Sequence, residues 1–578
     1  LRIRIFTLGF CCVCAQALFV REILGVIAGT ELILGLLLAG WLFWIAAGGI
    51  LGGRIHRHGP DRARRLFGAL AAAAAALVPA TVLAVRSVRG MNAWPTGALP
   101  PFGPAVAFSI AVLAPFAIVY GLLYNAASTA TARRGGIGRG ITTVYVLEAG
   151  GSAVGALLFS LLLAAHFTQM EVAVMTALAV VAVFAITSRA RGALLSAAAL
   201  AAAAAAALWT PALDRATMAR VLRGYSIERI VPSKHGELCV ARDREIVSIF
   251  SGTSRVATIP ASGELEETVH IPLLAHPRPR SVLLIGGAVG GGAEEARRHP
   301  RVERIDWIEL DPVLATIAGG VVSADPQRGE AGTEVALETR GLAGDGRFML
   351  SRTREQYDVI VITTPAPLTL RWNRYYTEEF FRIAAGKLTS DGVLAISHIS
   401  SEHYLSRELI EVLAMIRRSL RAVFPYIAVI PGTSAQFLAS REPLAVETIP
   451  ERLRSRRLET RYVREEIISF RIVPERLEHF ERGLSRARVA SNNTDAFPAL
   501  VLLELALEGA RAGTTGASIL GTLVSIPAAA PPVIGAVLLC LFFVSARRQR
   551  IAARAAVFSV GLCGMLLQVT AMLAFQSF

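Results

Sequence analysis

Two kinds of pattern divide the chain. Up to residue 210 it consists of long apolar stretches, over 5–20, 32–53, 66–85, 104–125, 141–165, 170–187 and 193–210. A helix that crosses a bilayer needs about 20 mostly apolar residues, so these predict seven spans. The seventh is the least lipophilic, being almost all alanine and leucine, with Ala201–Ala207 unbroken. Two further stretches, 518–545 and 555–576, close the chain, the first with a kink expected at Pro531 and Pro532. Between them, charges recur regularly and apolar runs shorten to strand length. Short β segments are expected over 225–260. Strands at Ser281–Ile285, Arg304–Leu310, Tyr357–Thr364 and Gly392–Ser397 then alternate with helices that start near Glu294 and run over Thr377–Leu388. Such alternation predicts a doubly wound parallel sheet. The expected architecture is a multi-pass α-helical membrane protein with an inserted α/β, Rossmann-like soluble domain. Its parts are a bundle over 1–211, a soluble domain over 212–513 with its core at 280–440, and a membrane segment over 514–578.

Composition agrees: 53% of residues are hydrophobic, 18% are charged and the mean hydropathy is +0.52. That excess of apolar residues is at home in lipid, the first partner expected. Charge adds the orientation. The net +15 is equalled by five short segments, Leu1–Arg4, Arg54–Arg65, Arg133–Gly140, Ser188–Gly192 and Arg547–Arg554, which hold 16 arginines and one acid, Asp61. The remainder is neutral on balance, which argues against a nucleic-acid partner and matches cytoplasmic loops of a cell-membrane protein. With Leu1–Arg4 inside and nine spans, all five segments fall inside and the soluble domain is extracytoplasmic. If the alanine-rich stretch does not cross, the domain lies inside and Arg547–Arg554 falls outside.

Polar residues within or beside the spans are Gln16, Arg21, Glu22, Glu31, Glu148, His166 and Gln568. A carboxylate in a bilayer is costly and marks a candidate site. Glu148, ahead of the small-residue run Ala149–Ala153, either pairs with an arginine in a tightly packed bundle or marks an ion or substrate site. Arg21, Glu22 and Glu31 are expected at the interface. Gly9-Phe10-Cys11 with Gln16 recurs as Gly561-Leu562-Cys563 with Gln568, a weak repeat of the transporter kind and the pattern of a second bundle beginning. Five cysteines lie in apolar stretches and only Cys239 in the soluble region, so no disulfide within that region and no metal site are expected.

The strand Ser281–Ile285 runs into Gly286-Gly287-Ala288-Val289-Gly290-Gly291-Gly292, and Glu309 ends the next strand. Glycines let backbone approach a ligand, and an acid at that spacing suits ribose hydroxyls, so the pair points to a nucleoside. A tight turn with no ligand is the plainer alternative.

Several segments then fall in one order: Val282-Leu283-Leu284-Ile285-Gly286-Gly287, Ile308-Glu309-Leu310-Asp311-Pro312, Gly344-Asp345-Gly346-Arg347, Tyr357-Asp358-Val359-Ile360 and Tyr376-Thr377-Glu378-Glu379-Phe380-Phe381. Upstream of them stands Val269-His270-Ile271-Pro272-Leu273-Leu274-Ala275-His276-Pro277. Over residues 225–440 the chain resembles spermidine synthase, and its flanking spans and Asn493-Thr494-Asp495 resemble the membrane-fused branch of that family. The resemblance implies transfer of an aminopropyl group from decarboxylated S-adenosylmethionine, or use of a related adenosyl nucleoside. It places Gly286, Gly287, Gly290 and Gly291 at the cofactor, Glu309 at the ribose and Asp345 near the adenine, with a polyamine as the other ligand. The chain departs from the family where acids are expected. Val289 stands for an aspartate, and Ile362-Thr363-Thr364-Pro365-Ala366-Pro367 carries no carboxylate. Glu264-Leu265-Glu266 lacks the family's tyrosine, and His398 replaces a glutamine. Acids hold and deprotonate the acceptor amine, so Glu264, Glu266 and His398 become the candidate substitutes. His270 and His276 are expected to be structural. Two functions stay open: an aminopropyltransferase-like enzyme, and a non-catalytic transport or assembly protein whose soluble domain senses a ligand or binds a partner. The oligomeric state is not legible.

Overall fold

In the computed structural model, residues 1–511 are described, apart from 28, 58–59, 92–93, 95–99, 133–135, 188–191, 324–337, 403 and 490; beyond 511 only 536, 537 and 540 are. The two C-terminal spans, Pro531, Pro532 and Gln568 therefore lie outside the described residues.

Two compact units are present. The first comprises Leu1–Pro260 with Asp311–Val313. Its helices are α1 (Arg2–Ile27), α2 (Glu31–Gly52), α3 (Pro60–Met91), α4 (Phe102–Thr131) and α5 (Gly136–Leu158). A π-helical turn, Phe159–Leu163, leads to α6 (Ala164–His166), followed by α7 (Gln169–Ile186) and α8 (Gly192–Val221). Among the described residues, six helices are long and apolar enough to cross a membrane: Arg2–Ile27, Glu31–Ile55, Asp61–Met91, Phe102–Thr131, Gly138–His166 and Gln169–Ile186. The seventh predicted span falls within α8.

Glycines explain one helix contact. A Cβ on Gly9 would lie 2.1 Å from Glu148 O, and one on Gly151 would lie 1.9 Å from Phe6 O. Only glycine lets α1 and α5 approach so closely, as small-residue interfaces do in membranes. Glu148 does not meet an arginine there: its Oε1 accepts from Tyr120 Oη at 2.9 Å and Ser152 Oγ at 3.2 Å. Hydroxyls on the neighbouring α4 and on its own helix satisfy it, so the expected arginine lock is replaced by a hydroxyl cradle. Gln16 is half-buried on α1.

Glu22, expected at the interface, is buried. It pairs with Arg86 of α3, which also holds Asp214 of α8 and Glu237. Glu237 belongs to a four-stranded antiparallel meander, β1 (Ser226–Ser233), β2 (Gly236–Asp243), β3 (Ile246–Ser251) and β4 (Ser254–Ile259). The first unit thus runs to Pro260. The reason is this polar joint, together with Thr253 N–H donating to Gly25 O and the Arg21 guanidinium donating to Ser233 O.

The second unit comprises Ala261–Leu310 and the chain from Leu314. Its strands are β5 (Ser281–Ile285), β6 (Arg304–Glu309), β7 (Glu338–Ala343), β8 (Tyr357–Ile362), β9 (Leu388–Ile399), β10 (Tyr426–Ile430) and β11 (Ser434–Ser440). They form one sheet in the order β10-β11-β9-β8-β5-β6-β7. The five strands from β9 to β7 run parallel, whereas β11 pairs antiparallel with both β9 and β10. The predicted doubly wound sheet is present, and the chain beyond its parallel part adds an antiparallel edge.

The helices of this unit are α9 (Gly263–Ala275), α10 (Gly292–Arg297), α11 (Pro312–Ser323, from Leu314 on), α12 (Gly346–Arg352), α13 (Leu370–Asn373), α14 (Glu378–Ala385), α15 (Arg407–Arg421), α16 (Ile449–Ser455), α17 (Glu465–Arg471), α18 (Pro474–Ser485) and α19 (Ala499–Arg511). One core joins Ile360, Ile362, Leu394 and Ile396 of the sheet to Phe380, Phe381, Val412, Leu413, Leu500 and Leu507. Buried Asn493 ties that layer together. Its amide donates to Asn373 Oδ1 at 2.9 Å and Tyr376 O at 3.0 Å, and its side-chain carbonyl accepts from Leu500 N–H. Asp495 receives Arg347 and Thr377.

Candidate functional site

β5 is a buried strand that ends in two glycines with positive φ, Gly286 (84°) and Gly287 (74°); Gly291 (95°) precedes α10. A Cβ on Gly287 would lie 2.5 Å from Thr363 Oγ1 and 3.1 Å from Leu265 Cδ1. Glycine is therefore required both by conformation and by the closeness of the β8 end and α9. The N–H groups of Gly290 and Gly292 both donate to Gly287 O, at 3.3 and 3.1 Å, and close the turn. β5 lies between β6 and β8, where strand order reverses, and open α/β sheets bind ligands there.

Glu309 ends β6 with its carboxylate against this turn: Oε1 accepts from Ala288 N–H at 3.0 Å and from Val289 N–H at 3.5 Å. Asp345 follows β7. It caps α12 by accepting from Phe348 N–H at 3.0 Å and pairs with Arg374 at 2.7 Å. Gly344 N–H donates to Glu309 O, which fixes the spacing of the two acids. The residues Gly286, Gly287, Gly290, Gly291 and Glu309 are thus gathered at one turn, with Asp345 on the same C-terminal rim of the sheet.

Residues 363–367 pass beside the glycine turn without a carboxylate; Thr363 Oγ1 donates to Ile285 O at 3.1 Å. Of the three candidate substitutes, Glu266 is buried and accepts from Tyr462 N–H at 2.7 Å and Val463 N–H at 2.8 Å. It anchors the chain after α16. His398 lies at the C-terminal end of β9, two residues beyond Ile396, which pairs with the last residue of β8, Ile362. Its Nε2 lies 2.9 Å from Glu504 Oε2 and its Nδ1 2.8 Å from Ile399 O. Both ring nitrogens face acceptors, which favours the doubly protonated ring. Burial opposes that charge, but Glu504 and the two hydrogen bonds overcome it and raise the pKa. A ring so committed is a poor general base. Glu264, in the first turn of α9, is exposed. It and Glu504 both act on the buried Tyr376 hydroxyl, whose pKa is raised by burial first, against a hydrogen bond with Thr364, and further by these two charges. Tyr376 also reaches Pro365 O at 3.5 Å.

Sequence reasoning missed Glu504 and Tyr376 as parts of this rim. Tyr376 lay inside a quoted motif. Glu504 breaks the apolar stripe of α19, between Leu500 and Leu507, which was a readable signal.

His270 and His299 belong to a buried hydrogen-bond chain. His270 Nδ1 lies 2.8 Å from His299 Nε2, His270 Nε2 lies 3.0 Å from Glu295 Oε2, and Arg456 donates to His299 Nδ1. With Nδ1 of His299 accepting, its Nε2 faces His270 as a donor; burial pushes the His299 pKa well down. His276, Asp358 and Asp391 gather at the opposite, N-terminal edge of the sheet. His276 Nδ1 accepts from Arg278 N–H, so in the neutral ring Nε2 keeps the proton, 3.4 Å from Asp391 Oδ2.

With this geometry in place, similarity to known proteins adds the family. Residues 262–440 match the spermine/spermidine synthase domain. The α/β domain is spermidine synthase-like. The polyamine aminopropyltransferase of Thermococcus kodakarensis is 28% identical over 183 residues, 30% of this chain and 61% of that protein. That of Nitrosomonas europaea is 33% identical over 166 residues, covering 29% and 49%. That of Methanocaldococcus jannaschii is 28% identical over 207 residues, covering 34% and 68%. The chain thus spans roughly half to two thirds of these relatives. Among solved structures, a spermidine synthase in complex with the transition-state analogue AdoDATO is 20% identical, with TM-score 0.36, covering 45% of this chain and 87% of that one. In the spermidine synthase-like domain, α9 enters the match at its first residues and α19 lies outside it, so Glu504 comes from beyond the family segment.

Proposed function

We propose that this protein sits in the cell membrane and that its α/β domain binds an adenosyl nucleoside of the decarboxylated S-adenosylmethionine type and transfers its alkyl group to an amine. The observation that carries the reading is the glycine turn at the switch point, with the Glu309 carboxylate on its amides. The adenosyl group would lie on Gly286, Gly287, Gly290 and Gly291, with Glu309 toward its ribose and Asp345 toward its base. Bound there, the sulfonium supplies an activated carbon. The chain's own residues orient it and, through Glu264, meet the incoming amine. A polyamine remains the acceptor suggested by the relatives. The losses at Val289 and residues 363–367 predict slow or altered acceptor chemistry. The test is calorimetric titration of the full detergent-solubilised chain with 5′-methylthioadenosine, a probe of the nucleoside half-site. Binding lost in Glu309→Ala supports the reading. Absence of binding to a folded wild-type chain refutes it.

Orientation is a second part of the proposal. Arg4 Nε donates to Thr187 Oγ1 at 2.6 Å, which brings the start of α1 to the end of α7. The Arg86 cluster joins the other ends of α1 and α3, and the end of α8, to β2. Within the first unit the arginine-rich ends thus lie away from the meander, which supports an extracytoplasmic meander. No span separates Pro260 from the α/β domain, so that domain shares the side. A reporter fused near Gly432 and read as cytoplasmic would overturn this placement while leaving the nucleoside test standing. An extracytoplasmic site would need its nucleoside supplied outside the cytosol.

A further inference from the structure

The joint between α1, α3, α8 and β2 has a charge imbalance that no part of the transferase reading uses. All five N–H groups of Arg86 are taken. Nε donates to Glu22 Oε1 at 2.6 Å, and the terminal nitrogens donate to Glu22 Oε2 at 3.4 Å, Glu237 Oε2 at 3.1 Å, Thr217 Oγ1 at 2.9 Å and Asp214 Oδ1. Every side chain is buried, Arg86 to 1% and the three acids to between 3% and 5%. One guanidinium therefore faces three carboxylates. The next cation, Arg21, is turned to Ser233 O. Counting both arginines still leaves one carboxylate without a positive charge in a desolvated place, where an unpaired charge is not sustained.

A second observation lies at the same spot. Gln169, at the start of α7, donates its main-chain N–H to Glu237 Oε1 at 3.1 Å. Its side-chain carbonyl, Oε1, is buried and has no hydrogen-bond donor, while the residue as a whole is 9% exposed. Surplus carboxylate and orphaned acceptor have complementary deficits. A single proton on Glu237 cancels the charge and gives that side chain a donor to offer. Glu237 and Asp214 are each held by Arg86 through one bond, whereas Glu22 takes two, and of the first pair it is Glu237 that meets Gln169.

We infer that Glu237, with Gln169 and the Arg86 cluster, forms a buried proton-binding site that locks the β-meander to the helix ends. The groups facing Glu237 are Arg21 and Glu22 from α1, Arg86 from α3, Asp214 from α8, the Gln169 amide from α7 and Cys239 from its own strand. Burial, opposed by Arg86 and reinforced by Asp214 and Glu22, pushes the Glu237 pKa up to about 8. The sign follows: the folded joint holds one more proton than the unfolded chain between the ordinary glutamate value and about 8, so it weakens as pH rises through that window. On the proposed orientation it would respond to the pH outside the cell.

The test uses the full chain in detergent. Infrared difference spectra between pH 6 and pH 9 should show loss of one protonated-carboxyl C=O band, absent in Glu237→Gln. Wild-type thermal stability should fall across the same range while Glu237→Gln stays flat. Gln169→Leu, which removes the acceptor, should move the band's midpoint to lower pH and serves if Glu237→Gln does not fold. A band unchanged by both variants overturns the inference. So does recovery of wild-type stability at pH 9 on adding sodium or potassium ions, because a metal cation would then be the occupant.

Discussion

The pair His398–Glu504 gives the sharpest test of the α/β domain. Glu504 occupies a position on α19 where Leu500 and Leu507 are its stripe neighbours, and its carboxylate is 1% exposed. Breaking one partner of a buried pair costs about 3–5 kcal/mol, since the other is left desolvated. Glu504→Leu should therefore lower the midpoint of thermal unfolding by about 6–20 °C, taking 2–4 °C per kcal/mol for a domain of this size. The double variant His398→Leu with Glu504→Leu should recover most of that loss, because an apolar pair suits the surrounding core. The pH dependence checks the sign. His398 titrates higher when folded, so its contribution is complete below its unfolded value of about 6.5 and disappears as pH rises through the folded value. Glu504→Gln should flatten that part of the stability profile. The assay is near-ultraviolet circular dichroism of the solubilised chain at several pH values. A double variant that loses the sum of its single losses would refute the ion-pair account, as would a Glu504→Leu cost under about 1 kcal/mol.

Two further perturbations follow from close contacts and one from the Asn493 hub. Gly287→Ala places a Cβ 2.5 Å from Thr363 Oγ1 at positive φ; it should cost about 1–3 kcal/mol and weaken 5′-methylthioadenosine binding at least about tenfold by calorimetry. Gly151→Leu, with Phe6 O 1.9 Å from its Cβ, should separate α1 from α5 and lower the yield of folded protein in size-exclusion chromatography. Asn493→Ala strands Asn373 and the Leu500 N–H; at about 1–3 kcal/mol for each buried group left unpaired, it should destabilise the domain by about 2–6 kcal/mol in denaturant titration.

The periodicity of the sequence located most elements because burial here follows the simple rules. β5 is buried on both faces, so it reads as a continuous apolar run, and its bounds match Ser281–Ile285. β8 also stands where the run Tyr357–Thr364 placed it, ending two residues earlier at Ile362. The antiparallel edge was not legible. Its strands follow α15 with the same β-rich composition that a parallel strand would have, and direction is set by connection length, not by residue type. The chemistry of single acids was the least legible. Glu22, Glu266 and Glu504 look alike in sequence, yet each carboxylate is committed by a partner 64, 196 or 106 residues away. Glu148 shows the same limit, since a hydroxyl 28 residues upstream does what an arginine was expected to do.

The acid-poor loop gives the last prediction its force. A diamine in the site would present two ammonium groups, and each needs a carboxylate to distinguish it from a neutral end. Glu504, which acts on Tyr376, is paired with His398, and Glu266 of α9 is spent on two amides. Glu264 is the exposed one. One charge pair near a protein surface, at about 4 Å, is worth up to about 4 kcal/mol before desolvation. The first ammonium can gain part of that at Glu264, and the second has no described carboxylate beside residues 363–367 to meet. Selectivity between a diamine and the monoamine of equal length should then stay under about tenfold, which is about 1.4 kcal/mol. Glu264→Gln should weaken both amines alike. Competition between the two amines, with 5′-methylthioadenosine present to hold the nucleoside half-site, measures this directly. A hundredfold preference for the diamine would mean that a second carboxylate reaches the acceptor from another part of the chain.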